Sequence, residues 1–156
     1  MGKIILKGDD SMKVQDIMTR NVAYINPSST LAEAAQLMQK HNVGSIPVCD
    51  QQGIVGIVTD RDIVVRSIAL GKNPHNTPIS EIMTTQVKVA DPSMDVNEAS
   101  RIMSQYQVRR LPVVENNQLV GMVALGDLAA DQRFDMEAAE ALSEISRPSK
   151  PEKMSQ

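Results

Sequence analysis

Residues 14–63 and 79–128 are two copies of one segment, and this repeat constrains the fold more than any other feature of the chain. A shift of 65 positions aligns the two copies over 50 residues without a gap, and 16 of the aligned pairs are identical. These pairs include Ile17/Ile82, Met18/Met83, Thr19/Thr84, Pro47/Pro112 and Asp62/Asp127. Two copies of one structural unit predict two similar halves related by a pseudo-twofold axis, with a natural ligand cleft on that axis.

Composition narrows the class of protein. The chain has 156 residues, and each copy alone is marginal for independent folding, so we expect the copies to bury apolar faces on each other. Only Tyr24, Tyr106 and Phe134 are aromatic, which disfavours single-stranded nucleic-acid binding because that function relies on stacked bases. The net charge of −3 likewise argues against nucleic acids and anionic membranes as partners.

The chain also lacks the signals of a secreted or membrane protein. No apolar run approaches the ~20 residues of a membrane span, and no secretory signal peptide is visible. The single Cys49 has no intrachain disulfide partner and lies in an apolar run, which favours a buried free thiol. We therefore predict a cytoplasmic protein with no membrane partner.

The same order of local signals occurs in both copies. The first copy has a helical turn at Ile17-Met18, a β-rich stretch at 22–25 ended by Asn26-Pro27, and a capped helix that starts at Thr30. Two short strands at 46–48 and 54–58 follow, and a second helix starts near Thr59. The pattern predicts an α+β fold of two β-α-β-β-α repeats.

The remaining segments complete the domain organisation. The predicted order is an N-terminal extension (1–13), repeat 1 (14–72), a linker (73–78), repeat 2 (79–133), a C-terminal helix (134–146) and a disordered tail (147–156). The C-terminal helix is expected to be amphipathic because apolar residues fall on one face: Phe134, Ala138, Ala141, Leu142 and Ile145. This stripe fits either an intrachain lid or a dimer contact.

Each copy resembles a CBS domain, the module named for cystathionine β-synthase. The resemblance lies in Met18-Thr19, Val43-Gly44-Ser45-Ile46-Pro47-Val48 and Gly56-Ile57-Val58-Thr59-Asp60-Arg61-Asp62, and in their counterparts in the second copy. The whole chain is similar to stand-alone bacterial proteins made of one CBS pair. This resemblance implies a Bateman module that packs sheet to sheet, forms a homodimer, and binds AMP, ADP, ATP or S-adenosylmethionine between its repeats without catalysing a reaction.

The resemblance also implies which residues contact the ligand. Thr59 and Asp62, with Asp127 in the second copy, match the positions that contact phosphate or ribose. Ser45, Ile46 and Pro47, together with Val22 and Ala23 of the first strand, match positions that line the base and phosphate. A carboxylate suits the paired hydroxyls of ribose. The Thr-x-x-Asp spacing equally fits a helix that caps itself.

The two copies differ at these positions. Ala124 stands where the first copy has Thr59, whereas Arg109 and Arg110 stand where the first copy has Gly44 and Ser45. Because arginine is a common partner of phosphate, we expect one good site, with ribose on Asp62 and phosphate on Thr59 and one of the arginines. The alternative is that the arginines pair with surface carboxylates.

No catalytic or metal-binding pattern is apparent. His41, His75 and Cys49 do not have zinc-ligand spacing, and no nucleophile-and-base arrangement or phosphate-binding glycine loop occurs. We therefore predict a non-catalytic protein that needs no cofactor. The resemblance implies that it is a regulatory protein that takes an adenosine-type ligand, and its signal is expected to pass to an unidentified protein partner. The alternative is a ligand-free dimerisation or protein-docking module.

Overall fold

The computed structural model describes residues 12–130 and 143–145. Almost all of the predicted N-terminal extension, the predicted tail and most of the predicted C-terminal helix lie outside the described residues. Residues 143–145 of that predicted helix are helical.

The first repeat contains three helices and one hairpin. Its elements are α1 (Val14–Ile17), α2 (Leu31–His41), β1 (Ser45–Asp50), β2 (Gly53–Thr59) and α3 (Asp60–Arg66), followed by a 3-10 helix at Ile68–Leu70. Strands β1 and β2 pair antiparallel in a two-stranded sheet.

The second repeat has the same order of elements. A 3-10 helix at Ile79–Glu81 takes the place of α1 and is followed by α4 (Val96–Tyr106), β3 (Arg110–Glu115), β4 (Gln118–Ala124) and α5 (Leu125–Ala130). Strands β3 and β4 form a second two-stranded sheet. The predicted α+β class is confirmed, with a hairpin and flanking helices in each repeat.

The predicted first strand of each repeat is wrong as a strand. In its place, Ile25 and Ala90 form single parallel bridges to Val48 and Val113. In the first repeat a tight turn, in which the Val22 N–H donates to the Arg20 carbonyl at 3.1 Å, precedes the bridge. The Asn26 turn follows at once, so Ile25 alone is left to pair.

Local capping explains where the long helices begin and end. Thr30 caps α2 through a reciprocal bond pair with Glu33, and the Asp95 side chain caps α4 at the Asn97 N–H. Both helices end at a residue in the left-handed conformation, Asn42 and Gln107. The two ends are 65 positions apart, so the repeat preserves the helix length as well as the sequence.

The chain forms two compact units that are built from alternating segments. The repeat 1 unit consists of residues 20–89 and 114–121. The described part of the repeat 2 unit consists of residues 12–19, 90–113, 122–130 and 143–145. Each unit therefore contains the N-terminal segment of the other repeat: residues 14–19 begin the first copy but lie in the repeat 2 unit, and residues 79–84 begin the second copy but lie in the repeat 1 unit.

Each unit has an aliphatic core. In the repeat 1 unit the buried cluster comprises Ile25, Leu31, Ala34, Met38, Ile46, Val48, Val58, Ile63, Ile79 and Ile82. In the repeat 2 unit the equivalent buried residues include Val14, Ala90, Val96, Ala99, Met103, Leu111, Val113, Val123, Leu125 and Leu128. Met38 and Met103, at equivalent positions of the two repeats, are both buried in these cores.

The β1–β2 hairpin contains a bulge near Gly56. Val48 lies opposite Gly56 and Cys49 lies opposite Ile54, so Val55 is the extra residue. A Cβ at Gly56 would meet the Thr84 carbonyl oxygen at 2.9 Å and Met83 Sδ at 2.8 Å. The close approach is therefore made by the chain itself.

Candidate functional site

The Thr59–Asp62 turn joins β2 to α3 in the repeat 1 unit. Thr59 Oγ1 accepts a hydrogen bond from the Asp62 N–H at 3.0 Å, and Asp62 Oδ2 accepts one from the Thr59 N–H at 3.0 Å. This is a capping box, so the self-capping alternative weighed from the sequence is present. An ionised carboxylate offers about four acceptor positions, so the cap leaves Asp62 with unused capacity.

The Asp62 carboxylate is unusually buried for a charged group. The residue is 8% exposed. Thr84 Oγ1 lies 3.5 Å from its Oδ2, and Arg66 Nε lies 3.8 Å from its Oδ1. Buried charges in proteins are normally paired or hydrogen-bonded, and the Asp62 carboxylate has both an ion-pair neighbour and hydrogen-bond donors.

Strand β1 carries three predicted ligand residues to the same turn. Ser45 lies directly opposite Thr59 in the strand pair, and Ile46 and Pro47 lie opposite Val58 and Ile57. Ile46 and Pro47 are buried, whereas Ser45 is half-buried. The structure therefore brings Ser45, Thr59 and Asp62 together at one end of the hairpin.

The preceding residue, Gly44, also contacts helix α3. Its carbonyl accepts a hydrogen bond from the Asp60 N–H at 2.9 Å. A Cβ at this position would lie 3.0 Å from Asp60 Oδ2, so a side chain here would crowd the Asp60 carboxylate. Gly44 thus allows the chain to pass close to the helix start.

Val22 and Ala23 lie in the same unit, in the segment that leads to the Ile25 bridge. Both are half-buried. No side-chain hydrogen bond involves either residue, as expected for aliphatic groups. Their assignment to the ligand stays a prediction.

The repeat 2 unit has a reduced version of the Thr59–Asp62 turn. Asp127 Oδ2 accepts a hydrogen bond from the Ala124 N–H at 2.9 Å, but Ala124 has no hydroxyl to return it. The Leu125 N–H donates to the Arg109 carbonyl at 2.8 Å, as Asp60 does to Gly44. The backbone framework is therefore repeated while the side chains differ.

Arg109 and Arg110 are both exposed at the start of β3 in the repeat 2 unit. Within residues 12–130 and 143–145, neither arginine forms a salt bridge, so the alternative of pairing with surface carboxylates finds no partner there. Their role toward a phosphate stays a prediction.

Sequence reasoning missed Thr84 and Arg66 as neighbours of Asp62. The identity of Thr19 and Thr84 in the repeat was the available signal for the first. The i,i+4 spacing of Asp62 and Arg66 on a predicted helix was the signal for the second.

The described part of the chain contains no group of three or more His, Cys, Asp or Glu side chains arranged to hold a metal ion. None of its helices has the length and apolar character needed to cross a membrane.

Two repeats, each with a helix-capping Asp after a short hairpin, define a tandem α+β module. The family model for the CBS domain matches residues 14–68 and 79–131. The chain therefore belongs to the CBS domain family and carries a pair of these domains.

Known proteins of similar length share this organisation. The chain is 49% identical over 133 residues to the CBS domain-containing protein YhcV of Bacillus subtilis. The aligned region covers 85% of this chain and 94% of that protein. A solved structure of Hypoxic Response Protein I with two coordinated zinc ions matches with a TM-score of 0.71 and 34% identity, over 76% of this chain and 98% of that one.

A third match contains adenosine compounds. The CBS domain pair of protein MJ0100, solved in complex with methylthioadenosine and S-adenosylmethionine, has a TM-score of 0.69 and 30% identity. The similarity covers 77% of this chain and 94% of that one.

Proposed function

We propose that this chain is a non-catalytic regulatory protein that binds an adenosine-type ligand, one of AMP, ADP, ATP or S-adenosylmethionine. The observation that carries the proposal is membership in the CBS family together with the adenosine compounds bound to the MJ0100 pair. Occupancy would shift the population of conformations and be reported to a protein partner.

The Thr59–Asp62 turn supports this function chemically. Asp62 presents a buried carboxylate with unused acceptor capacity, Thr59 Oγ1 accepts the Asp62 N–H, and Ser45 pairs with Thr59 across the hairpin. Ribose hydroxyls are donors, and a carboxylate that is part-buried binds them more strongly than an exposed one. The turn therefore suits the sugar common to all four candidate ligands.

A thermal-shift panel tests the proposal. AMP, ADP, ATP and S-adenosylmethionine are each added with and without Mg²⁺. A ligand at about 100 times its Kd adds about 2.7 kcal/mol to the stability, which raises the Tm of a protein of this size by several degrees. A flat panel at millimolar concentrations contradicts the proposal.

Two matched variants locate the site. In Asp62→Asn the amide oxygen still accepts the Thr59 N–H, so the helix cap is kept while the charge is lost. Asp127→Asn makes the same change in the repeat 2 unit. We expect the ligand-induced shift to disappear in Asp62→Asn and to persist in Asp127→Asn; the opposite pattern would assign the ligand to the second repeat.

A ligand-free docking module is the second candidate, and one observation favours it. Val64, Val65, Ile68 and Leu70 form an apolar stretch on and after α3, and Leu70 is 69% exposed. Neighbouring exposed apolar side chains of this kind are typical of protein interaction sites. A second copy of this chain is the proposed occupant, because a homodimer is what the family resemblance implies.

Sedimentation velocity tests the dimer. Val65→Glu combined with Leu70→Glu puts two charges into the apolar stretch and is expected to convert dimer to monomer. Val89→Glu is the control, because Val89 is 36% exposed and outside the stretch. Dimers that persist in the double variant would exclude this surface as the interface.

A further inference from the structure

Arg66 is the last residue of α3, and its guanidinium contacts two different parts of the repeat 1 unit. Nη1 donates a hydrogen bond to the Ile82 carbonyl at 3.2 Å. Nε lies 3.8 Å from Asp62 Oδ1. Ile82 is buried directly after the 3-10 helix Ile79–Glu81, so its carbonyl is a fixed anchor for the guanidinium.

The two distances have different meanings. At 3.2 Å the bond to Ile82 is a hydrogen bond, whereas 3.8 Å to Asp62 is an ion-pair distance, too long for a hydrogen bond. The hydrogen bond to Ile82 therefore holds the guanidinium beside Oδ1 of Asp62, and the guanidinium forms no hydrogen bond to that oxygen. The other oxygen, Oδ2, already accepts the Thr59 N–H at 3.0 Å. The carboxylate is thus oriented at both of its oxygens, and Oδ1 retains its lone pairs for another hydrogen-bond donor.

The corresponding carboxylate in the repeat 2 unit is held differently. Asp127 accepts the Ala124 N–H, but among the described residues no lysine or arginine pairs with it. In the sequence, the position aligned with Arg66 is Asp131, which has the opposite charge. An anchored cation next to the motif carboxylate is therefore a feature of the first repeat.

We propose that Arg66 is a positioning residue that sets Asp62 to recognise both vicinal hydroxyls of ribose, so that the repeat 1 unit selects ribonucleotides over deoxyribonucleotides. This inference rests on the proposed function. A purely structural role, in which Arg66 only ties α3 to Ile82, would alter stability but not the ratio of affinities for the two sugars.

The experiment measures that ratio by isothermal titration of the full chain with AMP, ADP and ATP and with their deoxy counterparts dAMP, dADP and dATP. A hydrogen bond to a charged acceptor contributes about 1.5–3 kcal/mol, so the wild-type chain should prefer the ribonucleotide by about 10-fold or more. In Arg66→Met the preference should fall to about 3-fold or less, because Oδ1 of Asp62 loses the adjacent cation while the Thr59 N–H still holds Oδ2.

Two further variants complete the design. Arg66→Lys keeps the positive charge but not the two-contact geometry of the guanidinium, so its preference should lie between those of wild type and Arg66→Met. On α4, Arg101 Nη2 lies 2.9 Å from Glu98 Oε1 in an exposed ion pair. Arg101→Met removes this cation and should leave the preference for ribonucleotides unchanged. Tm values without ligand show that each variant is folded.

The outcomes separate the inference from the proposed function. Loss of sugar preference in Arg66→Met, with an intermediate preference in Arg66→Lys, supports the inference. An unchanged preference in Arg66→Met overturns the inference and leaves the proposed function standing. If the wild-type chain binds none of the ribonucleotides, the inference falls, and the thermal-shift result with S-adenosylmethionine then decides the proposed function separately.

Discussion

Thr84 and Ile57 exchange two backbone hydrogen bonds, each N–H donating to the other residue's carbonyl at 2.9 Å. Thr19 and Met122 make the same exchange at 2.8 and 2.9 Å. The two pairs are related by the 65-residue shift: Thr19 is equivalent to Thr84, and Met122 is equivalent to Ile57. In each pair the threonine belongs to one repeat and its partner to the other. The segment that begins each repeat therefore completes the hairpin of the other one, and in the repeat 1 unit it brings the Thr84 hydroxyl to Asp62.

Gly56→Ala tests how tightly that segment is held. A Cβ at Gly56 would lie 2.9 Å from the Thr84 carbonyl oxygen, which is backbone and cannot move aside cheaply. We expect a loss of about 1–3 kcal/mol in the free energy of unfolding, measured by urea denaturation. The Met83 side chain, also within 2.8 Å, can shift and contributes less to the loss.

Gly126→Ala is the matched control. Among the described residues no atom lies within 4 Å of the Cβ position, and Gly126 is in helix α5. Replacing a helical glycine with alanine is expected to stabilise by about 0.5–1 kcal/mol. Equal effects of the two substitutions would mean that the approach of Thr84 to β2 does not constrain Gly56.

The crossed pairing shows where sequence reasoning stops. Ile17, Met18 and Thr19 are identical to Ile82, Met83 and Thr84, so nothing in these residues tells which hairpin each segment joins. The helices, the hairpins and the caps were predictable because their signals are local: periodicity, turn residues and a capping side chain three residues from its partner. The choice between two equal partners depends on the path of the whole chain.

The same distinction applies to the site. The spacing of Thr59 and Asp62 predicted both their proximity and the capping box. Thr84 and Ile82, which contact Asp62 and Arg66, are 22 and 16 residues away in the sequence. No local pattern links such positions, so these contacts emerged only from the fold.

Ala124→Thr tests the asymmetry between the two capping turns. Thr59 Oγ1 accepts the Asp62 N–H at 3.0 Å, and Ala124 offers no such acceptor to Asp127. Restoring the hydroxyl should stabilise the chain by about 0.5–1 kcal/mol, and Thr59→Ala should destabilise it by about 1 kcal/mol. Both are read from urea midpoints. An Ala124→Thr variant no more stable than wild type would show that the second turn cannot form the full capping box.

Cys49 should react slowly with alkylating reagents. Burial raises the pKa of its thiol, and the neighbouring Asp50 carboxylate raises it further, so little thiolate is present at neutral pH. We expect iodoacetamide to label the native protein at least about 10-fold more slowly than the protein unfolded in urea. The rate should increase as the pH rises toward the elevated pKa. Asp50→Asn removes the second cause and should accelerate labelling; native labelling as fast as unfolded labelling would contradict the prediction.

Asp91 and Asn26 occupy equivalent turns and differ only in charge. The Asp91 Oδ1 accepts the Ser93 hydroxyl and N–H at 2.6 and 2.9 Å, and the Asn26 Oδ1 accepts the Ser28 groups at 2.7 and 2.9 Å. The Ser93 side-chain bond, followed by its backbone bond, lowers the pKa of Asp91 below its ordinary value. The stabilisation linked to Asp91 is therefore complete above the unfolded-state pKa and is lost as the pH falls through the lower folded-state pKa.

Substituting each residue by the other type tests the predicted direction of the pH dependence of stability. The stability difference between wild type and Asp91→Asn should favour wild type at neutral pH and shrink as the pH falls below about 4. Asn26→Asp should acquire the same acid sensitivity in the first repeat, because it places a carboxylate on the same pair of serine donors. Tm measured across this pH range by circular dichroism gives both comparisons. A difference between wild type and Asp91→Asn that stays constant on acidification would show that the Ser93 bonds do not distinguish the ionised carboxylate from the protonated one.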